Sequence, residues 1–196
     1  ILAGGSVANS YGYVGDGSSS TGVVTVDGPG SVWTSTASLY VGHNGNGTLT
    51  ITGGGTVSSE FGYIGLYRGS AGVVMVDGVG SIWMNNGWLF VGQFGVGTLT
   101  ITDGGNVSSE VGLIGYGRST TSVAIVDGAG STWRNDSDLY VECTGWSDTQ
   151  SDDPTILGGD DCDDADIASN PGATEVCDGN DNDCDTVTPA TEIDND

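Results

Sequence analysis

The sequence has no lysine, one histidine and three arginines against 26 aspartates and glutamates, which gives a net charge of −23. Such a surface repels nucleic acid and anionic membranes, so we expect neither as a partner. No apolar run approaches the length of a membrane span, so membrane insertion is not expected either.

The shortage of cationic side chains also argues against catalysis. Enzymes that cleave polysaccharides on β-helical folds combine carboxylates with Lys, Arg or His on one face. Here the candidates are His43, which we expect to be solvated on a surface turn, and Arg68 and Arg118 in loops. We therefore predict no catalytic residues.

Cysteine is absent from most of the chain. All four cysteines, Cys143, Cys162, Cys177 and Cys184, lie in or beside the last quarter. An even number in a small acidic segment favours two disulfides and an oxidising compartment. No signal peptide is visible, but Ile1 falls within a repeated pattern, so we expect a processed or truncated start of an extracellular or cell-surface protein.

What the sequence does have is a period of 50 residues. The stretch 47–60 returns almost unchanged at 97–110, and tryptophan recurs at Trp33, Trp83 and Trp133. A fixed period of this length is typical of a solenoid or an array. Residues 1–150 are three such repeats.

Each repeat contains a second, imperfect one. The tripeptide Tyr13-Val-Gly has counterparts at residues 40, 63, 90, 113 and 140, at spacings that alternate between 27 and 23. Short β-rich runs cut by glycines, without helical periodicity, predict an all-β fold. We predict a β-solenoid, a parallel β-helix with three sides, in which each coil has 23 or 27 residues. A meander of hairpins is the alternative, but it needs no identical residues at fixed intervals.

Strict alternation along the strands gives a predicted interior, in which Val57 is equivalent to Ile82. The predicted inward residues are Val14, Val24, Val26, Val41, Leu49, Ile51, Val57, Ile64, Val74, Val76, Ile82, Val91, Leu99, Ile101, Val107, Ile114, Ala124, Val126 and Val141. Each of Trp33, Trp83 and Trp133 follows an inward position, so alternation turns all three outward. They either cover the longer loop of a coil or form a face for glycans or a neighbouring subunit.

Charge marks the boundary of the solenoid. Residues 1–150 hold 11 acidic residues and residues 151–196 hold 15, with no basic residue in the second part. We predict a solenoid over 1–142, an acidic connector over 143–159 and a Cys-rich, metal-stabilised irregular segment over 160–196.

The repeat resembles one found in bacterial surface proteins. The pattern Val-Asp-Gly-x-Gly-Ser-x-Trp at 26–33, followed by Leu-Tyr-Val-Gly and Gly-Thr-Leu-Thr-Ile-Thr-x-Gly-Gly-x-Val, is similar to repeats of autotransporter-like passengers and of proteins with sorting tails. The resemblance covers residues 1–150. It implies a secreted or surface-displayed solenoid and no catalytic activity.

A second resemblance covers residues 160–185. This stretch is similar to the Asp/Cys-rich metal-binding motif of secreted bacterial proteins, a motif that also occurs in a copper-binding surface protein. The sequence departs from it at Thr186, where that family continues with glycine. The oxygen ligands that we single out are Asp161, Asp163, Asp166, Asp178, Asn180, Asp181, Asn182, Asp183, Asp185 and Glu192.

Carboxylate and amide oxygens at alternate positions suit Ca²⁺, which would also relieve the repulsion among the uncompensated acids. Copper is the alternative, although it favours imidazole, thiolate or thioether ligands. Zinc is disfavoured because the cysteine spacings lack paired short knuckles. A disordered acidic tail is the remaining reading of the segment.

These features lead to two functional hypotheses. The first is a non-enzymatic subunit of an extracellular filament, stalk or layer, which stacks end to end with itself and is rigidified by Ca²⁺ and disulfides. The alternative is a monomeric adhesin passenger that binds glycans or a cell surface through the tryptophan face. An enzyme acting on polysaccharide is the third and least favoured.

Overall fold

The structure is a computed structural model that describes residues 1–117 and 121–141, together with the backbone of Ile156–Leu157. The described residues contain strands and turns and no helix. All strand pairs are parallel, and the chain winds through about five turns of a β-solenoid, which confirms the predicted fold class.

Three rows of parallel strands form the sides of the solenoid. Face A consists of β3 (Thr21–Asp27), β5 (Asn46–Thr52), β7 (Ala71–Asp77), β10 (Val96–Thr102) and β13 (Val123–Val126). Face B consists of β1 (Ser6–Asn9), the first parts of β4 (Val32–Val41) and β6 (Thr56–Ile64), β8 (Ile82–Asn85), β11 (Asn106–Ser109) and β14 (Thr132–Asn135).

Face C completes the triangle. It consists of β2 (Gly12–Val14), the second parts of β4 and β6, β9 (Trp88–Val91), β12 (Val111–Ile114), β15 (Leu139–Val141) and β16 (Ile156–Leu157). Faces B and C belong to one sheet because β4 and β6 run from one face into the other without a break.

The offset between paired residues differs from face to face. On face A it is 25 at every step, as in the pairs of Leu49 with Val24 and with Val74. On face B it alternates between 26 and 24, and on face C between 27 and 23. The predicted coil lengths of 23 and 27 are therefore confirmed on face C, while the same coils measure 25 residues on face A.

Corner turns produce these shifts. The turn from β7 to face B runs through Asp77–Ser81 and contains one residue more than the equivalent turn after β5. Its two glycines, Gly78 and Gly80, have φ angles of 88° and 85°, a left-handed conformation that side chains disfavour. Each coil thus passes the corner in one more or one fewer residue than its neighbours.

The core is a single column of inward aliphatic side chains. Val26, Leu49, Ile51, Val74 and Val76 are fully buried, as predicted, because the strict alternation on face A turns every second residue inward. Val126 lies in the same row but is 47% exposed, because it belongs to the last described coil of that face. The predicted division into three segments stays a prediction, since residues 142–155 and 158–196 lie outside the described part.

Candidate functional site

The predicted metal ligands, Asp161 to Glu192, and all four cysteines lie outside the described residues. Within the part of the chain that the structure describes, no group of three or more His, Cys, Asp or Glu side chains could hold a metal ion. In the same part, no helix is long and apolar enough to cross a membrane. The predicted disulfides and the ligand set therefore stay predictions.

The predicted tryptophan face does not exist. Trp83 is fully buried, Trp33 is almost so, and Trp133 packs against the core in the last described coil. Ile82, which was predicted to point inward, occupies an outward position and is half-buried. The outward assignment of the three tryptophans and the inward assignment of Ile82 are therefore wrong.

The cause is the extra residue in the Asp77–Ser81 turn. The prediction carried the offset of face A around the corner and so matched Val57 with Ile82. On face B the offset is 26, and Val57 pairs with Trp83. One residue in a turn is enough to exchange the two sides of the following strand.

Space for each tryptophan comes from a glycine in the coil below. A Cβ atom on Gly62 would lie 2.9 Å from Trp83 Cζ2 and 2.7 Å from Leu89 Cδ1. Gly12 and Gly112 face Trp33 and Trp133 in the same way. Coils with Trp and Leu thus alternate with coils that carry Val and Gly, and this large–small alternation in the sequence could have indicated the buried tryptophans.

The indole N–H groups have partners inside the solenoid. Trp83 Nε1 donates to Ser59 Oγ at 3.4 Å, and Ser59 Oγ donates to Asn85 Oδ1 at 2.7 Å. Trp33 Nε1 donates to Asn9 Oδ1 at 2.7 Å. Buried indole groups need such partners, so this polar row along face B serves the fold.

The surface aromatic residues lie on face C instead. Tyr13, Tyr40, Tyr63 and Phe90 stack in consecutive coils, with ring centroids 4.9, 5.0 and 5.1 Å apart and interplanar angles of 17°, 16° and 4°. We call this row the ring ladder. It follows from the Tyr-Val-Gly pattern and the in-register parallel pairing, which sets equivalent side chains one strand spacing apart.

The ring ladder affects the ionisation of its tyrosines. Burial raises the pKa of Tyr63, and the neighbouring Tyr40 raises it further. Burial first, and then the charge of Tyr40 and of Asp16, raise the pKa of Tyr13. The phenolate form is disfavoured among stacked rings because it loses water and meets other phenolates.

His43 closes one side of the ring ladder. Its ring makes edge contacts with Tyr13, Tyr40 and Tyr67 at centroid distances of 5.0–5.1 Å. Nδ1 lies 2.7 Å from Asp16 Oδ1 but makes no hydrogen bond of suitable direction, so the contact is electrostatic when the ring is charged. His43 is half-buried, which differs from the predicted solvated side chain.

Beside His43, the turns that leave face C carry further rings. We call Tyr67, Phe94 and Tyr116, together with His43, the turn strip. Phe94 and Tyr116 meet at 71° with centroids 6.5 Å apart. An open groove of about 530 Å³ lies here, lined by Asn44, Tyr67, Arg68 and Phe94.

The aspartates of the Asp-Gly turns have structural partners. Thr52 Oγ1 donates to Asp27 Oδ1 at 2.9 Å, and Thr102 Oγ1 donates to Asp77 Oδ1 at 2.7 Å. Asp127 Oδ1 accepts from the backbone N–H of Gly128. These contacts agree with turn stabilisation, the expected role of such residues.

Comparison with known proteins gives one match. Residues 161–189 match the family Cu-binding_MopE, described as "Putative metal-binding motif". No curated protein and no solved structure matches the chain. The match supports the predicted metal-binding segment, whereas the resemblance of the repeats to autotransporter passengers finds no support from relatives.

The donor set of the matched segment fits a hard cation. It contains aspartate and asparagine oxygens in number, no histidine and no methionine, with Cys162, Cys177 and Cys184 as its sulfur atoms. Oxygen ligands suit Ca²⁺, whereas copper requires the cysteines to remain unpaired.

Proposed function

We propose that this chain is a non-enzymatic extracellular structural protein, a subunit of a surface filament, stalk or layer. Two features support this: a rigid solenoid with repeats of constant length, and a tail that matches a metal-binding motif. Solenoids of this kind present unpaired strand edges at their two ends, and such edges pair with further coils.

The observation that carries the proposal is the match between the two ends of the described solenoid. Val7 and Val126 lie in inward rows, yet they are 44% and 47% exposed at opposite ends. Because the period is 50 residues, the coil that would follow β13, β14 and β15 is equivalent to the coil that contains Ile1, β1 and β2. A second copy can therefore continue all three faces in register, with Val126 against its Ile1, Trp133 against its Val7 and Tyr140 against its Tyr13.

Strand β16 bears on this assembly. Leu139 pairs with Ile156 and Tyr140 with Leu157, so β16 occupies the position on face C that β2 of a second copy would take. In the proposed filament, β16 leaves β15 and the tail docks elsewhere on the neighbour. Two disulfides and Ca²⁺ bound by the segment that includes Asp181, Asp183 and Asp185 would then hold the tail compact.

Electron microscopy of the purified protein, with Ca²⁺ and then with a chelator, tests the assembly. Three repeats correspond to six coils, so we expect filaments with an axial repeat of about 29 Å that shorten or dissolve in chelator. Val126→Lys places a charge in the contact between copies and should leave separate rods, whereas Val79→Lys, in an exposed turn, should not. Monomers at high concentration with Ca²⁺ present would contradict the proposal.

The metal is tested by calorimetric titration of the full chain with Ca²⁺ and with Cu²⁺. We expect Ca²⁺ binding that Asp183→Asn weakens by about tenfold or more, because one charged ligand is lost. Asp194→Asn lies outside the matched residues and serves as the control. Tight copper binding that survives Asp183→Asn, together with free thiols, would favour the copper alternative.

A second candidate function is adhesion to glycans, and it now rests on a different surface. The buried tryptophans cannot contact a ligand, but the ring ladder and the turn strip place seven tyrosine and phenylalanine side chains and one histidine along one side of the solenoid. Glycan-array binding by monomeric protein would favour this function over the filament.

A further inference from the structure

The turns that leave face C carry side chains that the fold does not require. The three equivalent turns begin Gly15-Asp-Gly-Ser, Gly65-Leu-Tyr-Arg and Gly115-Tyr-Gly-Arg, and the turns after β4 and β9 read His43-Asn-Gly and Gln93-Phe-Gly. Their glycines recur in register, while the residues between them change. Loop side chains that vary on a constant scaffold are where binding specificity resides.

Backbone hydrogen bonds hold these turns in fixed positions. The N–H of Tyr67 donates to the carbonyl of His43 at 3.1 Å, and the N–H of Phe94 donates to the carbonyl of Leu66 at 3.0 Å. The rings of the turn strip are therefore placed one coil apart on a rigid support. A ligand that contacts several of them meets a surface that is already ordered.

The rings of the turn strip differ from those of the ring ladder in what they offer to solvent. Inside the ladder, Tyr40 and Tyr63 have a ring stacked on each side, so their faces are covered. Tyr67, Phe94 and Tyr116 meet their neighbours edge to face and are 48%, 44% and 47% exposed. Open aromatic surface of this kind stacks on flat, amphipathic rings such as pyranoses.

Arg68 adds a charge to the same groove. It is exposed and forms no ion pair with any described residue. A guanidinium binds a carboxylate through two parallel hydrogen bonds, and the neighbouring Asn44 amide suits hydroxyl groups. The chain as a whole is strongly negative, so a ligand with a charge on every unit would be repelled, whereas one with spaced carboxylates would not.

We propose that the groove formed by Asn44, Tyr67, Arg68 and Phe94 binds a polysaccharide in which uronic acid units alternate with neutral sugars. A sugar ring stacks on Tyr67 or Phe94, and the carboxylate of a uronic acid pairs with Arg68. The groove is open along the turn strip and does not enclose a small molecule, so an extended chain that contacts several coils is its ligand. This inference rests on the second candidate function and names its substrate class.

The test is calorimetric titration of the full chain with three soluble polymers: hyaluronan, in which glucuronate alternates with a neutral sugar, alginate, in which every unit is acidic, and neutral dextran. We expect hyaluronan to bind most tightly. Tyr67→Ala should weaken hyaluronan binding by about tenfold through loss of stacking. Arg68→Gln should weaken it by about tenfold through loss of the charged pair while leaving any dextran binding unchanged.

Tyr11→Ala is the matched control, because Tyr11 is equally exposed and makes no ring contact in the described part of the chain. All three substitutions lie on the surface, and unchanged thermal melts establish that the variants fold. Equal effects of Tyr67→Ala and Tyr11→Ala, or hyaluronan binding no tighter than dextran, would overturn the proposed site. Binding of some glycan without any effect of Tyr67→Ala would remove this site and leave adhesion standing, whereas no binding to any glycan would remove both.

Discussion

Replacing Trp83 with alanine should destabilise the solenoid by about 3–5 kcal/mol, the range for burying an emptied aromatic site in a core that relaxes only in part. The side chain is fully buried, fills the space above Gly62 and donates to Ser59 Oγ. Alanine removes the ring and leaves the hydroxyl of Ser59 without its indole donor. Ile82→Ala, on the outward side of the same strand, should cost only about 1 kcal/mol.

Thermal unfolding followed by far-ultraviolet circular dichroism measures the difference. At about 2–4 °C per kcal/mol for a chain of this size, Trp83→Ala should lower the Tm by about 10–15 °C and Ile82→Ala by a few degrees. Trp88→Ala, the same change at a half-exposed position, is the control. If Ile82→Ala proved the more damaging of the first two, the strand would have the opposite side inward and the reasoning from the turn would fail.

Three further changes probe the packing. Gly62→Val should cost about 1–3 kcal/mol by overpacking, and combining it with Trp83→Leu should recover part of the loss; strictly additive costs would argue against the contact. Because the pKa of Tyr63 is raised, the folded state holds its proton longer than the unfolded state. Stability should thus be constant in this respect below about pH 10 and fall as the pH rises further, and melts of Tyr63→Phe between pH 9 and 11 should show a shallower fall. Thr102→Val removes the donor to Asp77 and should cost about 0.5–1.5 kcal/mol in urea unfolding, with an unchanged free energy contradicting a role for that bond.

Internal repetition made the architecture predictable. The alternation of Thr50 and Thr52 with Leu49 and Ile51 places the aliphatic residues inside on face A, and the structure has them there. A repeat that keeps its glycines and its β-branched residues in register leaves a stacked parallel coil as the arrangement that buries every equivalent residue at once. The spacing of the Tyr-Val-Gly tripeptides likewise fixed the offsets of face C.

The candidate site was predicted less well, because it depends on how side chains meet across coils. Trp83 was assigned to the surface since alternation was carried through a corner whose length differs by one residue. Its partner Gly62 lies 21 residues away in sequence, so the contact is visible only once the coils are stacked. The turn strip went unrecognised for the same reason, because Tyr67 and Phe94 belong to different coils and are dissimilar in their local sequence.

By itself, then, the sequence determined the period, the strand-and-turn composition of each coil, the charge of the surface and the metal-binding character of residues 161–189. Tertiary structure decided which side of each strand on face B is buried and which aromatic residues remain in solvent. The physical reason is that periodicity specifies repeated local geometry, whereas burial depends on the sum of turn lengths around a coil. A single added residue at a corner leaves the period of 50 intact and still moves three tryptophans from the surface to the core.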